Sequence, residues 1–384
     1  MSKVEPKRLG DLIMLKRGYD LPEKNRELGP YPVISSAGIS GWHKEYKVEG
    51  PGVITGRYGT LGEIYYSEDK YWPHNTALYV QNFKGNDPKY IYYLLSCLGR
   101  IRTSDKSAVP GVNRNELHEM SVPAIDDLTT QIKTRELLEV IDLKIALNNR
   151  INTELEAMAK TLYDYWFVQF DFPDANGKPY KTSGGKMVYN PSLKRKIPVD
   201  WEVITLSQIA NITMGQSPAG ESYNEDGNGS LFFQGSTDFG WLFPIPRQYT
   251  TSPARMAKKG DILLSVRAPV GDMNIANADC CIGRGLAALN SKSDSDGFLF
   301  YVMKYFKQVF DRRNSEGTTF GSITKNDLHS LKVVYPQQEI LKRYDNIVSE
   351  YNKMIFSRSL ENWELIKLRD WLLPMLMNGQ VTVR

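Results

Sequence analysis

The sequence predicts an α+β fold in which two α/β modules are separated by two long helices packed as an antiparallel coiled coil, arranged as a pseudo-two-fold internal repeat. Three observations predict it. First, Gly111-Val112-Asn113-Arg114-Asn115-Glu116-Leu117-His118 returns later as Gly321-Ser322-Ile323-Thr324-Lys325-Asn326-Asp327-Leu328-His329. Second, each copy runs through Val122-Pro123 or Tyr335-Pro336 into a long helical stretch, ending in Leu162-Tyr163-Asp164-Tyr165-Trp166 and Leu368-Arg369-Asp370-Trp371-Leu372. Third, the halves run in step upstream: Gly52-Val53-Ile54, Arg57 and Leu61-Gly62-Glu63 match Gly260-Asp261-Ile262, Arg267 and Val270-Gly271-Asp272. A unit this large is a duplicated domain; solenoid repeats span only about 20–50 residues.

The repeat sets the domain limits. The first module takes residues 1–123 and the first long helix 124–172. A Gly/Lys-rich connector takes 173–199, the second module 200–336 and the second long helix 337–379. In each module short strand-like runs are cut by turns, as in Gly52-Val53-Ile54 and Ala77-Leu78-Tyr79-Val80, or Ile262-Leu263-Leu264 and Leu286-Ala287-Ala288-Leu289. One helix follows in each, near Tyr90–Leu95 and Phe298–Phe310.

In the long stretches the period becomes helical. Leu147, Ile151, Leu155, Met158, Leu162 and Tyr165 step by three or four, as do Tyr344, Ile347, Tyr351 and Met354 and then Leu365, Leu368 and Leu372. These residues are the predicted coiled-coil and partner-binding seam. Asn148, Asn149 and Asn152, and Ser357, Arg358 and Ser359, interrupt it with polar groups that can fix register. Pro123 with Asp126 and Asp127, and Pro336 with Glu339, suit helix starts. The connector reads as a solvated linker in preference to a phosphate-contacting strap.

Composition narrows the class. The 384 residues are 24% charged and 41% hydrophobic with a formal net charge of +4, an ordinary globular balance that permits a nucleic-acid partner without demanding one. No run reaches the roughly 18 apolar residues of a membrane span, the start lacks a secretory signal's apolar stretch, and three cysteines offer no disulfide framework. A cytoplasmic location is expected.

Catalytic patterns are missing. His43, His74, His118 and His329 are scattered without metal-ligand spacing, so no metal is expected. The recurring His118 and His329 read better as structural, beside Asn115 and Asn326 as caps of a short turn that sends Leu117 and Leu328 inward. Gly184-Gly185-Lys186 lacks the spacing of a phosphate-binding loop, and Asn190-Pro191-Ser192-Leu193 fails as an amino-methyltransferase pocket. No catalytic residue is assigned, and a non-catalytic chain is expected. What remains suits a polymer: loops that interleave basic, aromatic and amide groups. The candidate DNA-binding residues are Lys16, Arg17, Tyr19, Arg57, Tyr58, Arg114, Gln216, Arg267, Arg312, Arg313 and Lys325. Arginine can read guanine bidentately and amides can read adenine. Arg57 and Arg267 are favoured because each stands between a strand-like run and a Gly-acid turn, although each could equally bridge loops within its own module.

The alternation of two modules with two long helices, together with Trp166-Phe167-Val168-Gln169-Phe170-Asp171-Phe172-Pro173 and Leu373-Pro374-Met375-Leu376-Met377-Asn378-Gly379, resembles the DNA-specificity subunit of type I restriction-modification systems. Asn176-Gly177-Lys178-Pro179-Tyr180 and Ile197-Pro198 to Trp201-Glu202 match as well. The resemblance covers nearly the whole chain. It implies two target-recognition domains, each reading half of a bipartite, asymmetric site on double-stranded DNA. It implies helices that set the gap and dock two modification (methyltransferase) subunits, with restriction/motor subunits beyond them. No cofactor is expected on this chain; S-adenosylmethionine, ATP and Mg are implied on the partners. The alternatives are the specificity subunit of a type IIB-like system and a protein-binding coiled-coil scaffold.

Overall fold

A computed structural model describes residues 4–57, 63–98, 113–267, 269–315 and 322–383, with the side chains of 309–315 excepted. Tyr58, Leu61, Gly62, Gly111, Val112, Gly321 and the side chains of Arg312 and Arg313 thus lie outside the described residues. The chain divides into two compact units, Met1–Ala146 with Asn362–Arg384, and Leu147–Glu361. Each unit therefore holds one module and part of both long helices, because each helix segment buries its inner face on the module it accompanies.

The first unit begins with β1 (Val4–Arg8), α1 (Leu9–Leu12) and β2 (Met14–Arg17), followed by β3 (Tyr31–Ser35), β4 (Gly38–His43), β5 (Gly52–Gly56), β6 (Ile64–Ser67), β7 (Trp72–Pro73) and β8 (Ala77–Asn82). It continues with α2 (Pro88–Cys97), α3 (Arg114–Glu119), β9 (Ser121–Ile125) and the start of α4 (Leu128–Tyr163). Its main sheet is antiparallel in the order β2-β8-β5-β6. Helix α2 starts where it does for two reasons: Pro88 suits a first turn, and the Asp87 carboxylate accepts from Tyr90 N at 2.7 Å. Its apolar face, with Tyr90, Ile91 and Leu94, joins Leu15, Val53, Leu138 and Met377 in one core.

Pro123 belongs to a strand, since β9 pairs along β1; the helix opens later, where Asp127 accepts from Thr130 N at 2.9 Å. Gln131, 1% exposed, donates to Asn86 Oδ1 and Ile125 O and accepts from Asp87 N. All its polar atoms are satisfied, so its burial avoids the roughly 1–3 kcal/mol of an orphaned polar group. His118 is structural, as expected: its Nε2 accepts from Leu15 N at 3.0 Å. The short-turn caps differ from those expected. Asn113 caps α3, and Thr324 caps the matching helix by a reciprocal bond with Asp327.

The second unit takes the rest of α4, a hairpin of β10 (Met187–Asn190) and β11 (Arg195–Pro198), then β12 (Glu202–Thr205), α5 (Leu206–Ile209), β13 (Ala210–Met214), β14 (Tyr223–Asn224), β15 (Ser230–Phe233) and β16 (Gln248–Thr250). Next come β17 (Met256–Ala257), β18 (Ile262–Ser265), β19 (Met273–Ile275), β20 (Cys280–Ile282), β21 (Leu286–Ser291), α6 (Asp296–Ser315), α7 (Lys325–Ser330), β22 (Lys332–Tyr335) and the start of α8 (Gln338–Met377). The order β13-β21-β18-β19 reproduces the sheet of the first unit, and β12–β22 reproduces β1–β9. The connector is more ordered than a solvated linker. Phe172 stacks between Tyr180 at 4.6 Å and Trp201 at 4.9 Å, and Asp171 accepts from Thr182 N and Oγ1, which ties the segment to the core.

The long helices have 36 and 40 residues, or about 54 and 60 Å at ~1.5 Å per residue. Within the second unit they run antiparallel: Tyr344 OH donates to Ala159 O at 3.2 Å, and Asn148 Nδ2 to Glu361 Oε2 at 2.8 Å. In the first unit Arg369 pairs with Asp142 at 3.1 Å. The buried seam is not the predicted one. Of the predicted residues Leu155 and Tyr344 are buried, Ile151, Leu162, Tyr351, Leu365 and Leu372 are half-buried, and Leu147, Met158, Ile347, Met354 and Leu368 are exposed. The inner face of α4 runs instead through Thr134, Leu138, Ile141, Asn148, Asn152, Leu155, Ala159 and Tyr163. Sequence hydropathy points to the wrong stripe here, because part of the inner stripe is polar and part of the apolar stripe faces out.

Candidate nucleic-acid interface

In both modules the sheet ladder brings the candidate residues to one sheet end. In the first, Gly18 N donates to Ala77 O at 3.0 Å and Arg57 N to Thr76 O at 2.9 Å, so the ends of β2 and β5 flank the start of β8. Lys16, Arg17, Tyr19 and Arg57 therefore share that end. In the second, Gly215 N donates to Leu286 O at 2.9 Å and Val266 N to Gly285 O at 2.9 Å, which gathers Gln216, Arg267 and Arg284 at the matching end.

The glycines that open these loops are required. A Cβ on Gly18 would collide with the carbonyl oxygen of His74, and one on Gly215 with that of Gly283. Backbone stands against backbone there, and only a residue without a side chain fits. The loops beyond the glycines are unrelated in sequence.

Side-chain partners differ along this edge. Arg17 is exposed, with Nε donating to Asn75 O at 3.4 Å and its guanidinium 3.9 Å from Asp20, too weakly held to be fixed. Tyr19 is held: its hydroxyl bonds Tyr79 OH at 3.1 Å, that bond lowers its pKa, and Lys16 Nζ lies 5.6 Å from the ring centre. Gln216 and Arg267 are exposed, and the Arg267 backbone bridges to Ser322. Arg114 and Lys325 open the matching helices α3 and α7, both exposed.

The ladder shifts the two favoured arginines by one residue. Gly56 pairs with Ala77 and Ser265 with Leu286, so Val266 occupies the rung of Arg57. Arg267 stands one position further on.

Sequence reading missed Arg284. It is exposed between Gly283 and Gly285, beside Gln216, and its backbone N donates to Ser217 Oγ at 3.3 Å. The flanking glycines, pressed against Gln234, were the available signal.

A second surface is apolar. In the second unit Met158, Leu162 and Tyr165 of the α4 stretch face Ile347 and Tyr351 of α8 across a groove of about 520 Å³. In the first unit Leu137, Val140 and Leu143 of α4 and Trp371 of α8 are exposed. Apolar groups concentrated on one element mark a contact surface more often than scattered ones do. Among the described residues no group of three or more His, Cys, Asp or Glu could hold a metal, and no helix is long and apolar enough to cross a membrane.

Two equivalent modules that present basic and amide groups at matching sheet ends, carried on paired long helices, define a two-site reader of an extended polymer. Residues 1–157 and 198–356 each match the type I restriction modification DNA specificity domain. The chain is 31% identical over 332 residues to a protein of Methanocaldococcus jannaschii named for the specificity subunit of the type I restriction enzyme MjaX, covering 84% of this chain and 75% of that one. It is 22% identical to the HindI specificity subunit of Haemophilus influenzae, over 77% of each chain. The type I restriction-modification S subunit from M. genitalium shares the fold, with a TM-score of 0.63 at 17% identity over 97% of this chain and 96% of that one. The chain belongs to the type I restriction-modification DNA specificity family.

Proposed function

We propose that this chain is the specificity subunit of a type I restriction-modification complex and recognises a bipartite, asymmetric site on double-stranded DNA. The observation that carries the reading is the duplicated sheet end. The same end of the sheet offers Lys16, Arg17, Tyr19 and Arg57 in one module and Gln216, Arg267 and Arg284 in the other, on loops of different sequence. One scaffold with two loop sets reads two different half-sites. Arg114 and Lys325 supply sequence-independent phosphate contacts, which position the modules without specifying bases. The lengths of α4 and α8 set the number of unread base pairs between the half-sites.

The chain performs no bond chemistry itself. Its outward apolar groups, Met158, Leu162, Tyr165, Ile347 and Tyr351 in one unit and Val140, Leu143 and Trp371 in the other, dock two methyltransferase subunits, with motor and nuclease subunits joining through them. S-adenosylmethionine, ATP and Mg belong to those partners, and the assembly works in the cytoplasm, where its DNA is. Modification-sensitive sequencing of genomic DNA, with the partner methyltransferase present and this chain present or absent, tests the reading. A gapped asymmetric motif, methylated only when the chain is present, is expected; methylation that does not depend on the chain would refute it.

A further inference from the structure

In the first unit the chain supplies a cation to a place that the second unit leaves open. Lys89, its side chain only 18% exposed, donates from Nζ to Glu68 at 3.1 Å and Glu139 at 2.8 Å and lies 4.9 Å from the ring centre of Tyr66. Arg135 closes the group, 2.7 Å from Glu139 and 3.9 Å from Asp87.

The repeat locates the counterpart. The carbonyls of Asp87 and Ser295 accept from Ile91 N and Leu299 N at the starts of α2 and α6, so Lys89 corresponds to Gly297. Tyr65 pairs with Ile54 and Asn274 with Leu263 at the same rung, so Tyr66 and Glu68 correspond to Ile275 and Asn277. On the long helices the buried Thr134 and Leu138 match the buried Tyr344 and Val348, which sets Arg135 against Asp345, Glu139 against Ser349 and Asp142 against Asn352.

Both cations of the first unit are therefore missing from the second. A cavity of about 330 Å³ stands there, lined by Gly297, Asn277, Asp345 and Asn352, with Phe243 and Phe356 packed edge to face at 4.6 Å as an apolar wall. Three atoms of its lining are buried without a hydrogen-bond partner among the described residues: Asn277 Oδ1, Asn352 Oδ1 and Asp345 Oδ2. All three are acceptors, so the missing group is a donor. Asp345 Oδ1 is already used, accepting from Phe298 N at 3.0 Å, and it occupies the space a Cβ at position 297 would need. The chain cannot refill the cavity from that position.

We propose that this cavity binds an aliphatic primary ammonium, and we assign it to a diamine or polyamine whose chain lies along Phe243 and Phe356 while one ammonium takes the place that Lys89 Nζ holds in the first unit. Three N–H donors meet three orphaned acceptors. Asp296 adds a second carboxylate to the lining, while Lys259 and Lys353 are exposed at the mouth, Lys353 turned to Glu350 at 2.7 Å. Burial pushes the Asp345 carboxyl up to about 6 in spite of hydrogen bonds from the Ser295 hydroxyl and the Phe298 amide, and it raises Asp296 as well, so at neutral pH Asp345 is ionised with no cation paired to it among the described residues.

Isothermal titration of the full-length chain with 1,5-diaminopentane, without DNA, tests this. Saturable one-to-one binding is expected, at least tenfold tighter than for 1,5-pentanediol, which has the same length and no charge. Asp345→Asn should weaken it at least tenfold and Asn277→Leu should abolish it, with folding of both variants checked by circular dichroism. Should either variant fail to fold, saturation-transfer NMR on the unaltered chain takes its place, with contacts expected between the ligand methylenes and aromatic protons. Nα-acetyl-lysine methylamide distinguishes a free amine from a partner's lysine, and tighter binding of the latter would overturn the assignment to a polyamine. Absence of binding at millimolar diamine, equal affinity for the diol, or an unaffected Asn277→Leu would overturn the site.

Discussion

The two modules share a scaffold and differ in what they hang on it. Sheet order, the β1–β9 and β12–β22 pairs, the loop-opening glycines Gly18 and Gly215, and the short helices α3 and α7 recur. The loops beyond those glycines, the outer strands β14 and β17 of the second sheet and the buried ionic groups do not. The recurring features are those that backbone geometry demands, where hydrogen-bond ladders and close backbone approach leave little choice of residue. The divergent features lie outside those ladders, where a change leaves the backbone pairing of the module intact. On the proposed function the modules are expected to read separately, an expectation that can be broken or sharpened by experiment.

The largest effect comes from the shared glycines. Gly18→Val drives a side chain into the backbone of His74 and should destabilise the first module by about 3 kcal/mol or more, read as a lowered first transition in a thermal melt. Recognition of the second half-site should survive; loss of both together would mean the modules do not stand alone.

Next is Asp345, whose pKa is raised by burial to about 6. A carboxyl that holds its proton more tightly in the folded state loses stability as pH rises from its ordinary value near 4 through about 6. Above that range the cost is on the order of 2–3 kcal/mol. Asp345→Asn should therefore melt higher than the parent at pH 7.5, with the advantage gone at pH 4. The Lys89 group, where the carboxylates are already paired, should show no such gain on Glu139→Gln. A pH-independent difference at Asp345 would show the carboxylate to be compensated already.

A smaller effect is expected at the reading edge. Arg284→Ala should weaken binding by about 1–3 kcal/mol at one half-site and relax its sequence preference, as removal of a base-reading arginine does. Arg114→Ala should weaken all sequences alike and reduce the salt dependence of binding. Competition binding with duplexes altered in one half-site at a time separates the two, and an Arg284→Ala effect spread evenly over both halves would remove Arg284 from the reading edge.

Much of this was legible in the sequence. The repeated Asn-acid-Leu-His segment (Asn115–His118 and Asn326–His329) and the helical period carry the duplication, the two arms and the family. The frame of the helix pair was hidden, because Asn148 and Asn152 face inward while Leu147 and Met158 face outward, and hydropathy ranks those pairs the other way round. Asn148 is accommodated by Glu361, a residue far along the chain. The one-residue offset between Arg57 and Arg267 and the placing of Arg284 at the sheet end that carries Gln216 depend on strand register, which local spacing does not define. The order of the connector that carries the β10–β11 hairpin was hidden by its Gly- and Lys-rich composition, since that order comes from Phe172 and Trp201, which flank it.

Exchange of residues 1–123 for the same module of a relative with a known target, read by modification-sensitive sequencing of the host genome, tests independent reading most directly. The account predicts a hybrid motif in which one half-site changes while the other half and the gap stay as they were. Loss of the whole motif in a chain shown to fold and assemble, or a change in both halves, would contradict it.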